Sequence, residues 1–181
     1  ASARAALCFD LRPLDGDAEL ADALRETIAA HLPNERLTRI FAREGTRLDI
    51  PLTTFNRIEV EEINGRTGVD LRKRALQPVV RLARALAIDV GALDSPSTFD
   101  RLRTVAKTDH PLAAQAKALV PAFTTLVDVH LRDQVQAAER GQTPTDLVDP
   151  EALHKSQQNL LKETLKAVQS AQSAARKHYR L

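Results

Sequence analysis

The stretch Leu76-Gln77-Pro78-Val79-Val80-Arg81-Leu82-Ala83-Arg84-Ala85-Leu86-Ala87-Ile88 decides the fold class. Its apolar residues recur at helical spacing, and proline is well tolerated in the first turn of a helix. Gly91 follows as a stop signal. The pattern predicts a helix that ends near Gly91, and every element that follows is also predicted to be helical.

Two long amphipathic segments complete the helical part. Apolar residues at helical spacing mark the first one between Leu112 and Gln134, where Pro121 is expected to kink or split the helix. Asp149-Pro150-Glu151 is a start signal for the second, with a capping carboxylate, a proline and an acid in order. A short loop joins the two segments, so we expect an antiparallel pair within a four- to five-helix bundle.

A small β element is predicted upstream of this bundle. Phe55–Glu61 alternates apolar and polar residues like a half-exposed strand, and Asn64-Gly65 is a hairpin turn signal. Thr67–Leu71 then returns as the partner strand, which places a β-hairpin at about 55–72. A lone hairpin is marginal in water, and the apolar run at Leu7–Leu11 is the expected third strand. The predicted fold class is therefore mainly α, with a small β element.

The first sixteen residues have a sequence pattern that is expected where one domain ends and the next begins. Ala5-Ala6-Leu7-Cys8-Phe9 is a short apolar run bounded by turn formers, which is typical of a buried strand. Such a strand needs hydrogen-bonding neighbours on both sides. We therefore expect residues 1–16 to be the last strand of an upstream domain and residues 17–181 to form the helical domain.

Composition limits the classes of function. The 181 residues are 43% apolar and 28% charged, as in globular proteins, and a net charge of +2 is too small to indicate a nucleic-acid partner. No apolar run reaches the ~18 residues of a membrane helix, and the N-terminus lacks a signal-peptide pattern. With Cys8 as the single cysteine, we expect a cytoplasmic protein with a buried thiol.

The sequence contains no complete catalytic motif, and its five histidines are scattered without metal-ligand spacing. The most charged segment surrounds the start of the central helix, where free N–H groups and cations together attract anions. Its candidate substrate- or nucleotide-binding residues are Asp70, Arg72, Arg74, Arg81 and Arg84. The alternative is a solvated face whose arginines pair with acids of the adjacent strand, namely Glu59, Glu61 and Glu62.

Four different sequence blocks follow one another along the chain and together carry a resemblance. They are Phe9-Asp10-Leu11-Arg12-Pro13-Leu14-x-Gly16-Asp17, Val69-Asp70-Leu71-Arg72-x-x-Ala75-Leu76-x-Pro78, Thr98-x-x-Arg101-Leu102 and Asp149-Pro150. In this order they resemble the C-terminal helical, substrate-binding domain of a bacterial family of nucleotidyltransferase-like signalling proteins. The first block resembles the last strand of that family's catalytic domain. Arg72 departs from the pattern, since the family more often has lysine there.

The resemblance implies Mg²⁺-dependent transfer of a nucleotidyl group from an NTP to a protein or small acceptor. The related enzymes are the uridylyltransferase of the PII signalling protein and glutamine synthetase adenylyltransferase. It also implies upstream partners, namely the catalytic domain and a CBS or cyclic-nucleotide-binding regulatory domain. The catalytic Gly-Ser…Asp-x-Asp signature is missing here, and Gly45-Thr46-Arg47-Leu48-Asp49 lacks the second carboxylate. We therefore expect the chain alone to be inactive and its helices to close over the NTP or present the acceptor.

Asp10 is the catalytic candidate that the resemblance assigns. In related adenylyltransferases an Asp-Leu-Arg stretch supplies the third metal-binding carboxylate, and Asp10 and Arg12 match that place. Asp10 would then bind the metal only together with the upstream domain, and Arg12 would join the substrate-binding candidates. The alternative is an Asp–Arg ion pair that merely ends a strand.

A different class of function remains open from the sequence. The two long helices could form a non-catalytic module for protein interaction or homodimerisation, which a large exposed apolar stripe between Leu112 and Val135 would support. Nucleic-acid binding through the basic segment 72–84 is disfavoured, because no aromatic residues alternate with its arginines.

Overall fold

Six α-helices and three short strands make up the described part of the chain. The structure is a computed structural model that describes residues 8–11, 15, 17–63, 65–92 and 95–181. The helices are α1 (Ala18–Ala29), α2 (Glu35–Thr46), α3 (Gln77–Asp89), α4 (Thr98–Val105), α5 (Ala113–Glu139) and α6 (Lys155–Tyr179). The strands are β1 (Glu61–Ile63), β2 (Arg66–Asp70) and β3 (Leu147–Val148), and a π-helical turn at Arg72–Leu76 leads into α3.

The core is built around α3. No residue of α3 is exposed, and helices α2, α4, α5 and α6 pack around it. Helix α2 approaches closely at Gly45, where a Cβ atom would lie 2.9 Å from Leu82 Cγ. Only a residue without a side chain permits that distance. The prediction of a mainly α protein with a four- to five-helix bundle is confirmed, since α2 to α6 form the bundle.

Short polar side chains fix the starts of several helices. Asp17 accepts a hydrogen bond from the Glu19 N–H at α1, and Ser97 accepts one from the Asp100 N–H at α4. The predicted start of the last helix, with Asp149 as its cap, is wrong by five residues. Asp149 caps a single 3₁₀ turn, Pro150–Ala152, and α6 begins only after His154, whose ring accepts from the Ser156 N–H.

The sheet is antiparallel, in the order β1-β2-β3. Pairing of Glu61 with Gly68 and of Ile63 with Arg66 confirms the predicted hairpin, whose turn residue Asn64 lies outside the described residues. Strand β3 pairs with β2 through Val69 and Val148. Gly68 makes this approach possible, since a Cβ atom there would lie 2.7 Å from the Val148 carbonyl oxygen.

The N-terminal strand of the prediction is wrong where the structure describes it. Cys8 and Phe9 are helical, and residues 5–7 lie outside the described residues. The third strand comes instead from the loop between α5 and α6. Cys8 is also exposed rather than buried, because Phe9 is the residue that turns into the core.

Two further details differ from the predictions. Phe55–Glu61 is not one strand, because the chain turns back at Asn56, which has a φ of 55°, and Leu52 forms a bridge with Ile58. Pro121 does not split the first long segment, since α5 continues through it. Because proline has no N–H group, α5 lacks one backbone hydrogen bond at this position.

Within the described residues, no helix is both long enough and apolar enough to span a lipid bilayer.

Candidate functional site

Asp10 is held between two buried arginines from different helices. One carboxylate oxygen, Oδ2, lies 2.5 Å from Arg84 Nη2 on α3, and the other, Oδ1, lies 2.8 Å from Arg101 Nη1 on α4. Arg84 is 8% exposed and Arg101 is 3% exposed, whereas the Asp10 side chain is 39% exposed. We call this three-residue cluster the Asp10 clamp.

The clamp also fixes the backbone around Asp10. Arg101 donates a hydrogen bond to the Phe9 carbonyl oxygen, and its Nε donates to the Ser95 carbonyl oxygen at 3.0 Å. The Phe9 ring meets the Phe41 ring of α2 edge to face at 5.6 Å. Burial lowers the pKa of Arg101, and its bond to Asp10 works against that shift. The chain that enters at Phe9 and Asp10 is thereby attached to α2, α3 and α4 together.

The described residues do not fit a magnesium site at Asp10. Both of its oxygens already accept from guanidinium groups, and no group of three potential metal ligands among the described residues includes it. Mg²⁺ prefers several oxygen ligands in near-octahedral geometry. Arg12, the partner that the sequence suggested for Asp10, lies outside the described residues.

The remaining candidates of the charged segment lie apart from the clamp, and two of them bind nearby acids or backbone. Arg72 Nη1 lies 3.3 Å from Asp146 Oδ2. Asp70 accepts a bond from the Lys73 N–H at 2.8 Å, which caps the π-helical turn. The Arg72–Asp146 ion pair joins the turn after β2 to the segment before β3.

Arg74 and Arg81 are also engaged within the chain. Arg74 Nη2 lies 2.9 Å from Glu59 Oε2, one of the pairs that the alternative interpretation predicted. Arg81 donates to the Glu44 carbonyl oxygen at 3.3 Å. Arg74 faces an open groove of about 600 Å³, shared with Lys166 and Arg176. Of the predicted substrate-binding residues that the structure describes, only Arg84 therefore contacts Asp10.

A second polar cluster joins the ends of α3 and α6. Asp89 Oδ2 accepts from Tyr179 Oη and lies equally close, at 2.9 Å, to His110 Nε2. His178 Nε2 lies 3.9 Å from the same oxygen. Sequence reasoning missed this cluster, because its members are distant in the chain and local ligand spacing carries no signal for them.

The ring nitrogen of His110 that carries the proton decides whether this cluster could bind a metal. Its Nδ1 accepts a hydrogen bond from the Leu112 N–H at 3.1 Å, so the proton of a neutral ring lies on Nε2 and is donated to Asp89. A metal bound through Nε2 would require the opposite tautomer, with Nδ1 as the donor. As arranged, the cluster is a hydrogen-bond network that fastens the C-terminal end of α6.

The sequence profile of one protein family matches residues 35–179, and the family is described as "Putative nucleotidyltransferase substrate binding domain". The chain belongs to this family. The match covers α2 to α6 and the whole sheet, and it starts after the Asp10 clamp residue. Neither the curated proteins nor the solved structures include a match to the chain. Arg101 was missing from the candidate residues, although the block Thr98-x-x-Arg101-Leu102 of the family resemblance contains it.

Removing the Asp10 carboxylate should destabilise this family member. Asp10→Ala leaves Arg84 and Arg101 buried without a counter-charge, and we expect the free energy of unfolding in urea to fall by about 2 kcal/mol. Asp22→Ala removes an exposed partner of Arg25 and should cost no more than about 0.5 kcal/mol. Equal effects of the two variants would show that the clamp does not hold the entering chain.

Tyr179 should ionise only when the protein unfolds. Burial, followed by the charge of Asp89, raises the pKa of its hydroxyl far above the ordinary value of about 10. Because the folded pKa lies above the unfolded one, this stabilisation is complete below about pH 10 and is lost as the pH rises further. Tyr179 is the single tyrosine and tryptophan is absent, so tyrosinate absorbance reports this residue alone.

The measurement is an alkaline titration followed by absorbance and by circular dichroism. We expect the two signals to change together, and Tyr179→Phe to remove the part of the pH dependence above about pH 10. Tyrosinate formation near pH 10 in a protein that is still folded would contradict the buried hydrogen bond to Asp89.

Proposed function

We propose that this chain is the helical substrate-binding part of a nucleotidyltransferase-like signal-transduction protein. When joined to its catalytic domain, that protein transfers an NMP group from an NTP to a protein or small acceptor. The observation that carries the proposal is the family match over residues 35–179. A helical part alone has no transfer chemistry, so the catalytic groups would come from the joined domain.

The Asp10 clamp supports this arrangement. Arg84 and Arg101 bind the Asp10 carboxylate and the Phe41 ring contacts Phe9, so the described residues nearest to an upstream domain are fixed on the helices. A fixed position on the helical side suits this function, because substrate positioning tolerates little misplacement, on the order of 1 Å.

The proposal includes several requirements of the joined protein. It would use Mg²⁺ and an NTP, with the metal held by carboxylates of the catalytic domain, as in other two-metal transfer enzymes. Asp10 could add its carboxylate only if the arginines of the clamp released it. A regulatory CBS or cyclic-nucleotide-binding domain, similarity to the PII uridylyltransferase, a bacterial source and a cytoplasmic location belong to the same proposal.

The reading frame upstream of Ala1 and a transfer assay test this function. We expect a Gly-Ser…Asp-x-Asp segment roughly a hundred residues before Asp10, the length of one domain. The joined protein should transfer label from an NTP labelled at its α-phosphorus, and Asn in place of the upstream aspartates should abolish the transfer. An upstream frame without this segment, or no transfer from any of the four NTPs with Mg²⁺, would refute the proposal.

A second candidate is a non-catalytic interaction or homodimerisation module. Leu131 and Val135 on α5 are 52% and 54% exposed, and Leu160 on α6 is 54% exposed. Exposed apolar side chains of this size favour a protein contact when they are contiguous. These residues are few. The other Leu, Val and Phe residues between Leu112 and Val135 are buried or partly buried, so the predicted large stripe is reduced to its C-terminal end.

Light scattering over a range of protein concentrations tests this second function. A homodimer through this surface should show a mass that rises with concentration, and Leu131→Glu combined with Val135→Glu should return it to the monomer value. Phe55→Ser is the matched control, because Phe55 is 84% exposed on a loop elsewhere. A constant monomer mass for all proteins would exclude the homodimer.

A further inference from the structure

Helix α2 presents a row of four arginines on its exposed face. Arg36, Arg39, Arg43 and Arg47 follow one another at spacings of three, four and four residues, and all four are exposed. Residues at these spacings lie on one side of a helix, so the row extends over about 16 Å. We call it the α2 arginine row. The opposite side of the helix faces the core through Phe41 and Gly45.

Three of the four arginines in the row have no carboxylate partner. Arg39 lies 3.9 Å from Glu35, and no described carboxylate forms an ion pair with Arg36, Arg43 or Arg47. Exposed arginines elsewhere are divided: Arg72, Arg103 and Arg132 pair with Asp146, Asp100 and Asp128, whereas Arg57, Arg66, Arg140 and Arg180 form no ion pair with a described carboxylate. The α2 arginines differ from these single positions because they share one face of a helix. The arginines suggested by the charged segment are engaged, whereas those of α2 are available to an anion.

Positive charge exceeds negative charge on this face of the helix. With four arginines against Glu35 and Glu44, α2 and its C-terminal cap carry a net charge of +2. An open depression of about 740 Å³ runs along this face and is lined by the four arginines, by Ile40 and by the two glutamates. Mutual repulsion along such a row disfavours the folded state unless an anion binds there.

The core side of α2 is held by several contacts. Phe9 packs on Phe41 of α2, and the Arg84 guanidinium lies 5.4 Å from the centre of the same ring. The close contact between Gly45 and Leu82 keeps the helix in a fixed position relative to the core, which suits a rigid binding surface.

We propose that the α2 arginine row binds the phosphate chain of a nucleotide. Guanidinium groups bind phosphate oxygens through paired hydrogen bonds, and consecutive phosphates offer such oxygens along a line. This proposal rests on the proposed function for the presence of an NTP, and it assigns the contact to α2 rather than to the charged segment at 70–84. No aromatic side chain is exposed on α2, so the row provides no platform for stacked bases.

The test uses calorimetric titration of the chain with tripolyphosphate, with ATP and with a single-stranded oligonucleotide at fixed ionic strength. The test variant combines Arg36→Gln, Arg43→Gln and Arg47→Gln. The control combines Arg57→Gln, Arg132→Gln and Arg140→Gln, which removes the same charge from exposed positions elsewhere. We expect tripolyphosphate and ATP to bind the wild type and the control alike, and the test variant at least about tenfold more weakly.

A second readout separates binding from folding. Without ligand, the test variant should unfold at the same or a higher temperature than the wild type, because repulsion along α2 is relieved. Tripolyphosphate should raise the unfolding temperature of the wild type and of the control, but not that of the test variant.

Other outcomes would overturn the assignment. Equal ATP binding by the test variant and the wild type would place the phosphate contact elsewhere and leave the proposed function intact. Absence of binding by tripolyphosphate and ATP would reject the row as a phosphate site, while the transfer assay on the joined protein would still test the proposed function. Binding of the oligonucleotide in preference to both would identify the row as a nucleic-acid surface instead.

Discussion

Helix α3 has no side facing solvent, and most features of the molecule follow from that. A helix enclosed by other helices must place small or apolar side chains in every direction, and the run from Pro78 to Ile88 does so at almost every position. Two positions of the run carry arginine: Arg81 is partly buried, whereas Arg84 is buried. A guanidinium in such surroundings needs a carboxylate close by, since an unpaired buried charge costs several kcal/mol. The Asp10 carboxylate, which belongs to a segment outside the bundle, supplies this negative charge.

The need to compensate Arg84 and Arg101 links the folding of the domain to its connection with whatever precedes it. Asp10 belongs to the entering segment, while its two partners belong to α3 and α4. The same contacts that satisfy the buried cations therefore fix Phe9 and Asp10 against the bundle. On the surface this need is absent, and Arg36, Arg43 and Arg47 of α2 are exposed without an ion pair to a described carboxylate.

How far the sequence predicts this structure depends on the range of the interactions involved. Helix α3 and the β1-β2 hairpin are predictable, because periodicity and the Gly65 turn are local signals. The third strand was assigned to the wrong segment, since any short apolar run satisfies the requirement for a partner and only tertiary packing selects Leu147–Val148.

The candidate site shows the same difference between local sequence signals and long-range contacts. Arg84 and Asp10 were both candidate site residues, but no local sequence pattern indicates that their side chains form an ion pair. Arg101, the second partner of Asp10, appeared in the sequence analysis only as part of a family pattern. The Asp89 network joins residues that are separated by up to 90 positions, so spacing rules for histidine do not detect it. The accessible charge on α2 was overlooked because a sequence does not show which arginines are already paired.

The small sheet has a consequence for the order in which the chain folds. Strands β1 and β2 are neighbours in sequence, but Val69 and Val148 are 79 positions apart. Bringing two such distant strands together costs conformational entropy that the hydrogen bonds of a short strand pair do not offset. The cost falls once the helices between them have formed and packed, because these hold the two segments near each other. We therefore expect β3 to pair with β2 late in folding, after α5 and α6 have packed against each other.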